Sequence, residues 1–155
     1  MLLSAVSATQ QASARYEIRV ANPSDRAFIL SSWIHGARAS RWAREAGMLY
    51  YAEHGRAIEA VFARPGVTTR VACVTGEPAA ILGYAVLEQP ERDPPVVHWV
   101  HVRPRCGGQG IARALLQHII EYDVVYCSHW VPTSFAAWPP MFRYNPYCLF
   151  DRGHK

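Results

Sequence analysis

At 155 residues the chain is the size of one domain with one core, and a content that is half hydrophobic and 18% charged is globular rather than disordered. A net charge of +4 and a pI near 9.0 favour anionic partners, but the positive charges are scattered and Lys155 is the only lysine. A nucleic-acid surface is therefore not expected, and no apolar run approaches the roughly 18 residues of a membrane-spanning helix.

Residues 1–14, rich in Ser, Ala and Gln, are too polar for a secretory signal and read as a flexible tail, with a single domain over residues 16–155. Cys73, Cys106, Cys127 and Cys148 are widely spaced, which fits reduced thiols in a cytoplasmic protein. Cys127 and His129 are too few for a zinc site, and no metal is expected.

In chain order, residues 16–21 (YEIRVA) alternate as a first strand. Asn22-Pro23-Ser24-Asp25 supplies a cap, a proline at the first helical position and an acid in the first turn. The helix that follows carries Phe28, Ile29, Trp33 and Ile34 and ends near Gly36. Residues 48–63 repeat apolar side chains at helical spacing until Arg64-Pro65-Gly66 stops them. Residues 67–74 and 80–87 form a hairpin around Gly76-Glu77-Pro78, and residues 96–102 (VVHWVHV) form another strand.

A glycine turn at residues 106–110 then leads into an amphipathic helix expected over residues 111–122, with Arg113, Gln117 and Glu121 on its wet face. A strand is expected over residues 124–131, before a proline- and aromatic-rich end without clear elements. The order β-α-α-β-β-β-α-β predicts an α/β (α+β) domain with a mixed, mostly antiparallel sheet flanked by helices.

Gly107-Gly108-Gln109-Gly110 stands between a strand and a helix, where positive φ angles and unpaired helix N–H groups suit a diphosphate. A Walker A loop is excluded because Gly110 is followed by Ile111-Ala112 rather than Lys-Ser/Thr. A Rossmann fingerprint is excluded by its late position after antiparallel strands.

Val102-Arg103-Pro104 and the phrase Gly108-Gln109-Gly110-Ile111-Ala112-Arg113-Ala114-Leu115-Leu116 resemble the acyl-CoA-binding motif of the GNAT superfamily of N-acyltransferases, Gln/Arg-x-x-Gly-x-Gly/Ala. Gly110 and Ala112 match its last two places, and Gly107 stands where Gln or Arg is usual. The resemblance implies a GNAT-like fold and acetyl-CoA as co-substrate. It places the pantetheine arm along Val100, His101 and Val102, and the diphosphate on Gly107, Gly108, Gln109, Gly110, Ile111, Ala112 and Arg113.

It also puts His98 where some small-amine acetyltransferases keep a catalytic histidine. An imidazole near its ordinary pKa of about 6.5 suits proton transfer at neutral pH. Simple alternation sets His98 on one face with Val96, Val100 and Val102, and His101 on the other with Val97 and Trp99. Tyr144 is the expected general acid, with Tyr147 as a further donor. Ser128 and His129 are weaker candidates, and without a Gly-x-Ser-x-Gly elbow a serine hydrolase is not expected. Trp33, Trp42, Tyr50, Tyr51, Trp130, Trp138 and Tyr144 either frame an acceptor or fill core.

The expected function is direct transfer of an acetyl group to a small-molecule or peptide amine, with a homodimer left open. Two rivals stand beside it: a GNAT-fold binding or assembly component, for example in a phage particle, and a nucleic-acid-modifying enzyme on the same fold.

Overall fold

In the computed structural model, which describes residues 15–150, β1 (Tyr16–Val20) is locked to the start of α1 (Arg26–Ala37) by charge. Arg19 grips both oxygens of Asp25 at 2.7 and 3.0 Å, while Asp25 accepts the Asn22 N–H at 2.7 Å. The Arg19 hydrogen bond holds the buried Asp25 carboxyl below its usual range. A cap that is also an ion pair fixes where the helix leaves the sheet.

Two helices follow, α2 (Arg41–Ala46) and α3 (Leu49–Phe62). The sequence leaves the stretch between Gly36 and Met48 unassigned, because the six residues of α2 are too few to show a period. Ser40 starts it, its hydroxyl accepting the Ala43 N–H at 3.4 Å.

The sheet has six strands in chain order, β1, β2 (Val67–Val74), β3 (Glu77–Glu88), β4 (Val96–Val102), β5 (Val124–Cys127) and β6 (Met141–Tyr144). The first three pairings are antiparallel and the last two parallel, as the mixed, mostly antiparallel expectation has it. β6 lies in the end that sequence left unassigned. β5 stops at Cys127, short of residue 131.

Each face of the sheet carries its own core. Ile29, Trp33, Ile58, Val61, Tyr84, Val86 and Trp99 fill the face under α1 and α3. Leu87, Val97, Ile111, Leu115, Leu116, Ile119 and Val125 fill the other. A fully buried aliphatic side chain contributes about 2 kcal/mol.

The helix after the glycine turn, α4 (Ile111–Leu115), has five residues rather than the twelve expected over 111–122. Arg70, reaching from β2, donates to the carbonyls of Ala114 at 3.4 Å and Leu115 at 2.9 Å. A cation on those carbonyls caps the helix where it stands. Tighter turns carry the chain on, Ile119 N–H reaching Leu116 O at 2.9 Å.

One further correction decides the site. On β3 the adjacent residues Val86 and Leu87 oppose Trp99 and Val97 of β4, so His98 is the extra residue of a β-bulge. The slip reverses the alternation beyond it. His98 therefore shares the α1 face with Val96, Trp99 and His101, while Val100 and Val102 pack on the α4 face.

Candidate active site

β4 and β5 run parallel but pair only through Val96 with Tyr126 and Val97 with Cys127. The last bond between them is Ser128 N–H to Val97 O at 3.2 Å, and beyond it the two strands part in a fork. On the β3 side, Arg103 N–H donates to Leu82 O at 2.8 Å. Residues an even number away, His101 and Trp99, thus turn their backbone groups to β3. Val100 and Val102 turn theirs into the fork. Backbone groups at an open edge require partners, so this edge is a ready strip of donors and acceptors. A cavity of about 30 Å³ lies at the apex, lined by His98, Trp99, Val100, His129, Trp130 and Pro132 among others.

The strip leads through Val102 into the glycine turn. Gly108 and Gly110 both have φ of +76°, where a side chain would be strained. Gly107, at φ −62° and ψ 152°, sits in a region open to every residue. Buried Ile111 anchors the helix start to the core. The first bond inside the turn is Ala114 N–H to Gly110 O at 3.0 Å, so the N–H groups of Ile111, Ala112 and Arg113 have no acceptor within the helix. Gln109 and Arg113 are exposed. The Arg103 guanidinium lies 5.5 Å above the Phe28 ring, turned toward α1 rather than toward the turn.

On the opposite face of β4, polar side chains from several helices and strands meet. His98, 1% exposed, places Nε2 at 2.6 Å from Glu88 Oε2 and Nδ1 at 3.0 Å from Ser128 Oγ. Arg64 also donates to Glu88 Oε2, at 3.0 Å. Ser128 Oγ lies 2.8 Å from His129 Nδ1. His129 Nε2 accepts from Trp33 Nε1 at 3.1 Å and lies 3.3 Å from His54 Nε2.

Burial pushes His129 down to about 3, helped by His54 and His98, and takes His54 down to about 4. Burial lowers His98 too, although Glu88 opposes it. Burial drives the Glu88 carboxyl up, but His98 and Arg64 together outweigh it and keep it below its usual range. The resting cluster is one carboxylate beside three neutral imidazoles.

The model of the acetyltransferase (GNAT) family matches residues 31–124, more than half of the chain. The chain belongs to the GNAT acetyltransferase family. Among solved structures it is similar to a protein described as an acetyl transferase from Pyrococcus furiosus, at 15% identity and a TM-score of 0.57, over 78% of this chain and 87% of that one. It is also similar to a protein of Salmonella typhimurium described as an acetyltransferase with its cofactor acetyl-CoA, at 23% identity and a TM-score of 0.42, over 68% of this chain and 61% of that one. No curated protein matches it.

Within this GNAT chain the structure brings together Val100, Val102 and the turn of residues 107–113 as one continuous strip. His101 stands apart from it. Its backbone belongs to the β3 pairing, and its ring packs 5.6 Å from Tyr84. Tyr144 lies on β6, one strand beyond the fork, and is 54% exposed, while Tyr147 is 74% exposed. Trp33 and Tyr50 are core residues. Glu88 and His54 are not among the candidates the sequence offers, and Ser128 and His129 are only weaker ones. The available signal was four polar residues in otherwise apolar strand and helix surroundings.

Among the described residues no helix is long and apolar enough to cross a membrane.

Proposed function

We propose that this GNAT chain transfers an acetyl group from acetyl-CoA directly to the nitrogen of a small-molecule or peptide amine. The observation that carries the reading is the fork. Its open β4 edge supplies the Val100 and Val102 backbone groups, the strip ends on the glycine turn, and the buried His98 cluster lies at its apex.

The residues present fit the co-substrate. An extended amide-bearing arm can hydrogen-bond along Val100 and Val102 as a further strand would. Gly108 and Gly110 keep side chains out of the way of a diphosphate, which the Ile111, Ala112 and Arg113 N–H groups can hold. Acetyl-CoA supplies the thioester whose acyl group is to be moved. His98, backed by the Glu88 carboxylate, takes the proton that the amine must lose. Tyr144 is the candidate donor to the departing thiolate, and Tyr144→Phe tests it by loss of turnover.

Calorimetric titration with acetyl-CoA, alongside a thermal melt, tests the reading at its base. Saturable binding with a raised melting temperature is the expected result. No heat at millimolar acetyl-CoA would sink it and leave a GNAT fold used for something else.

A further inference from the structure

His98 borders the cavity of about 30 Å³ at the apex of the fork, and the walls it shares that space with are aromatic or aliphatic. Among the described residues no carboxylate lines it. Three of the walls are rings that stand nearly at right angles to one another. Trp99 meets Trp130 at 4.8 Å and 82°, and His129 at 5.4 Å and 77°. His129 and Trp130 cross at 6.5 Å and 80°. Edge-to-face packing of this kind holds each ring by its neighbours. Trp99 is the fixed member, 6% exposed and stacked on Trp33 at 6.1 Å. Trp130 both lines the cavity and is 44% exposed, so it forms the rim. The imidazole between them brings no charge, because burial holds His129 at about 3. A space of this size admits about one or two water-sized groups. An amino group enters it; whatever else an acceptor carries stays outside, against the rim.

We propose that the acceptor is a primary monoamine with an aryl tail, and that Trp130 is the residue that selects the tail. The inference rests on the acyltransferase reading and names its acceptor class. An aryl tail covers the exposed Trp130 indole and takes apolar surface of both rings out of water. Its amino group then lies in the cavity that His98 borders. A polyamine brings further ammonium groups, and the walls of the cavity hold no carboxylate to pair them. A chain of net charge +4 also disfavours the approach of a polycation. A lysine side chain offers only a flexible alkyl stem to the rim, and the backbone that carries it remains in water. An amine without a tail fits the cavity but gains nothing from Trp130. Trp130 is thus a specificity-determining residue, and Trp99 and His129 are the rings that hold it in place.

Two measurements test this. In turnover with acetyl-CoA, kcat/KM should be highest for phenethylamine among phenethylamine, ethylamine, spermidine and a lysine peptide. Trp130→Ala should lower the ratio of kcat/KM for phenethylamine to that for ethylamine about tenfold, chiefly through KM for phenethylamine, and Trp130→Phe should restore most of it. A ratio that Trp130→Ala leaves unchanged, with both amines slowed alike, overturns the selection by showing that the indole only shapes the apex. Spermidine or the lysine peptide outrunning phenethylamine overturns the acceptor class. The second measurement needs no turnover. In 1H–15N spectra of tryptophan-labelled protein with CoA present, the Trp130 indole signal is the one lost in Trp130→Phe. Millimolar phenethylamine should shift it, and spermidine at the same concentration should not. A Trp130 signal that phenethylamine leaves in place, or that spermidine moves as far, overturns the proposal. If wild type neither binds nor consumes acetyl-CoA, the acyltransferase reading fails, while the indole signal still judges the amine site.

Discussion

On the open side of the fork, the groups offered to a ligand are backbone amides and carbonyls, at Val100, Val102 and residues 108–113, held by the glycine geometry at Gly108 and Gly110. At its apex the groups are side chains already bonded to one another, His98 and Ser128 buried, Glu88 and His129 partly so. A ligand of the first region would be held by backbone geometry, which tolerates changes that keep the backbone path. The second works only if each member keeps its protonation state, because a low-dielectric setting penalises an unpaired polar group heavily. Substitutions in the two regions should therefore fail differently, one in affinity and the other in turnover and acid stability.

The sharpest separation comes from His98→Ala. Removing the group that receives the proton should cost about 10²- to 10⁴-fold in kcat, while acetyl-CoA binding by calorimetry stays near wild type. Equal losses in binding and turnover would show that the cluster shapes the fork rather than moving a proton. An unchanged kcat across pH 6–9 would remove His98 from the mechanism.

Acid stability comes next. The folded values of about 4 for His54 and about 3 for His129 lie below the unfolded value near 6.5. Their stability is complete above pH 6.5 and is lost as pH falls toward the folded values, since only the unfolded chain then takes up protons. At pH 5 the loss is about 2 kcal/mol for each histidine. Thermal melts at pH 7 and pH 5 should therefore differ strongly, and His54→Gln should narrow the gap. Asp25, held low by Arg19, adds its own loss only below about pH 4. A flat profile between pH 7 and pH 5 would contradict neutral, buried imidazoles.

What the sequence reveals divides along the same line. The glycine turn is contiguous, so its spacing alone places Gly108, Gly110 and Ile111 against a strand end. The strands and long helices show too, because each carries its own period. The apex is drawn from residues 33, 54, 64, 88, 98, 128 and 129, and no local pattern joins them. The bulge at His98 is invisible in VVHWVHV, whose alternation reads as unbroken and puts the imidazole on the face of Val100 and Val102. The early end of α4 has a distant cause, since Arg70 on β2 takes the carbonyls that a longer helix would use. The four residues of β6 lie between Pro140 and Pro146, where turn chemistry masks a strand.

Gly110→Ala probes the backbone side. At φ +76° an added Cβ meets nothing nearer than the Tyr16 hydroxyl at 3.9 Å, so its cost is conformational, about 1–2 kcal/mol. Denaturant unfolding should register that loss. Acetyl-CoA affinity should drop while the histidine tautomers remain as they are in wild type. Altered His98 or His129 signals would mean that the two regions are mechanically coupled through β4.

The smallest change is the most discriminating for the turn. Gly107→Gln places a side chain at the position where the motif this turn resembles has Gln or Arg, at a backbone conformation that demands no glycine. A Cβ there lies 3.7 Å from Pro104 O and clashes with nothing. Removing a glycine's freedom from the unfolded chain should raise stability by about 0.5–1 kcal/mol. The added amide can donate to an anion beside the Ile111 and Ala112 N–H groups, so acetyl-CoA affinity should rise by about 1 kcal/mol, several-fold, in the same titration. A gain in stability without a gain in affinity would place the diphosphate elsewhere along the fork. A gain in both would show that the wild-type turn binds through its backbone alone and falls short of what the fold allows.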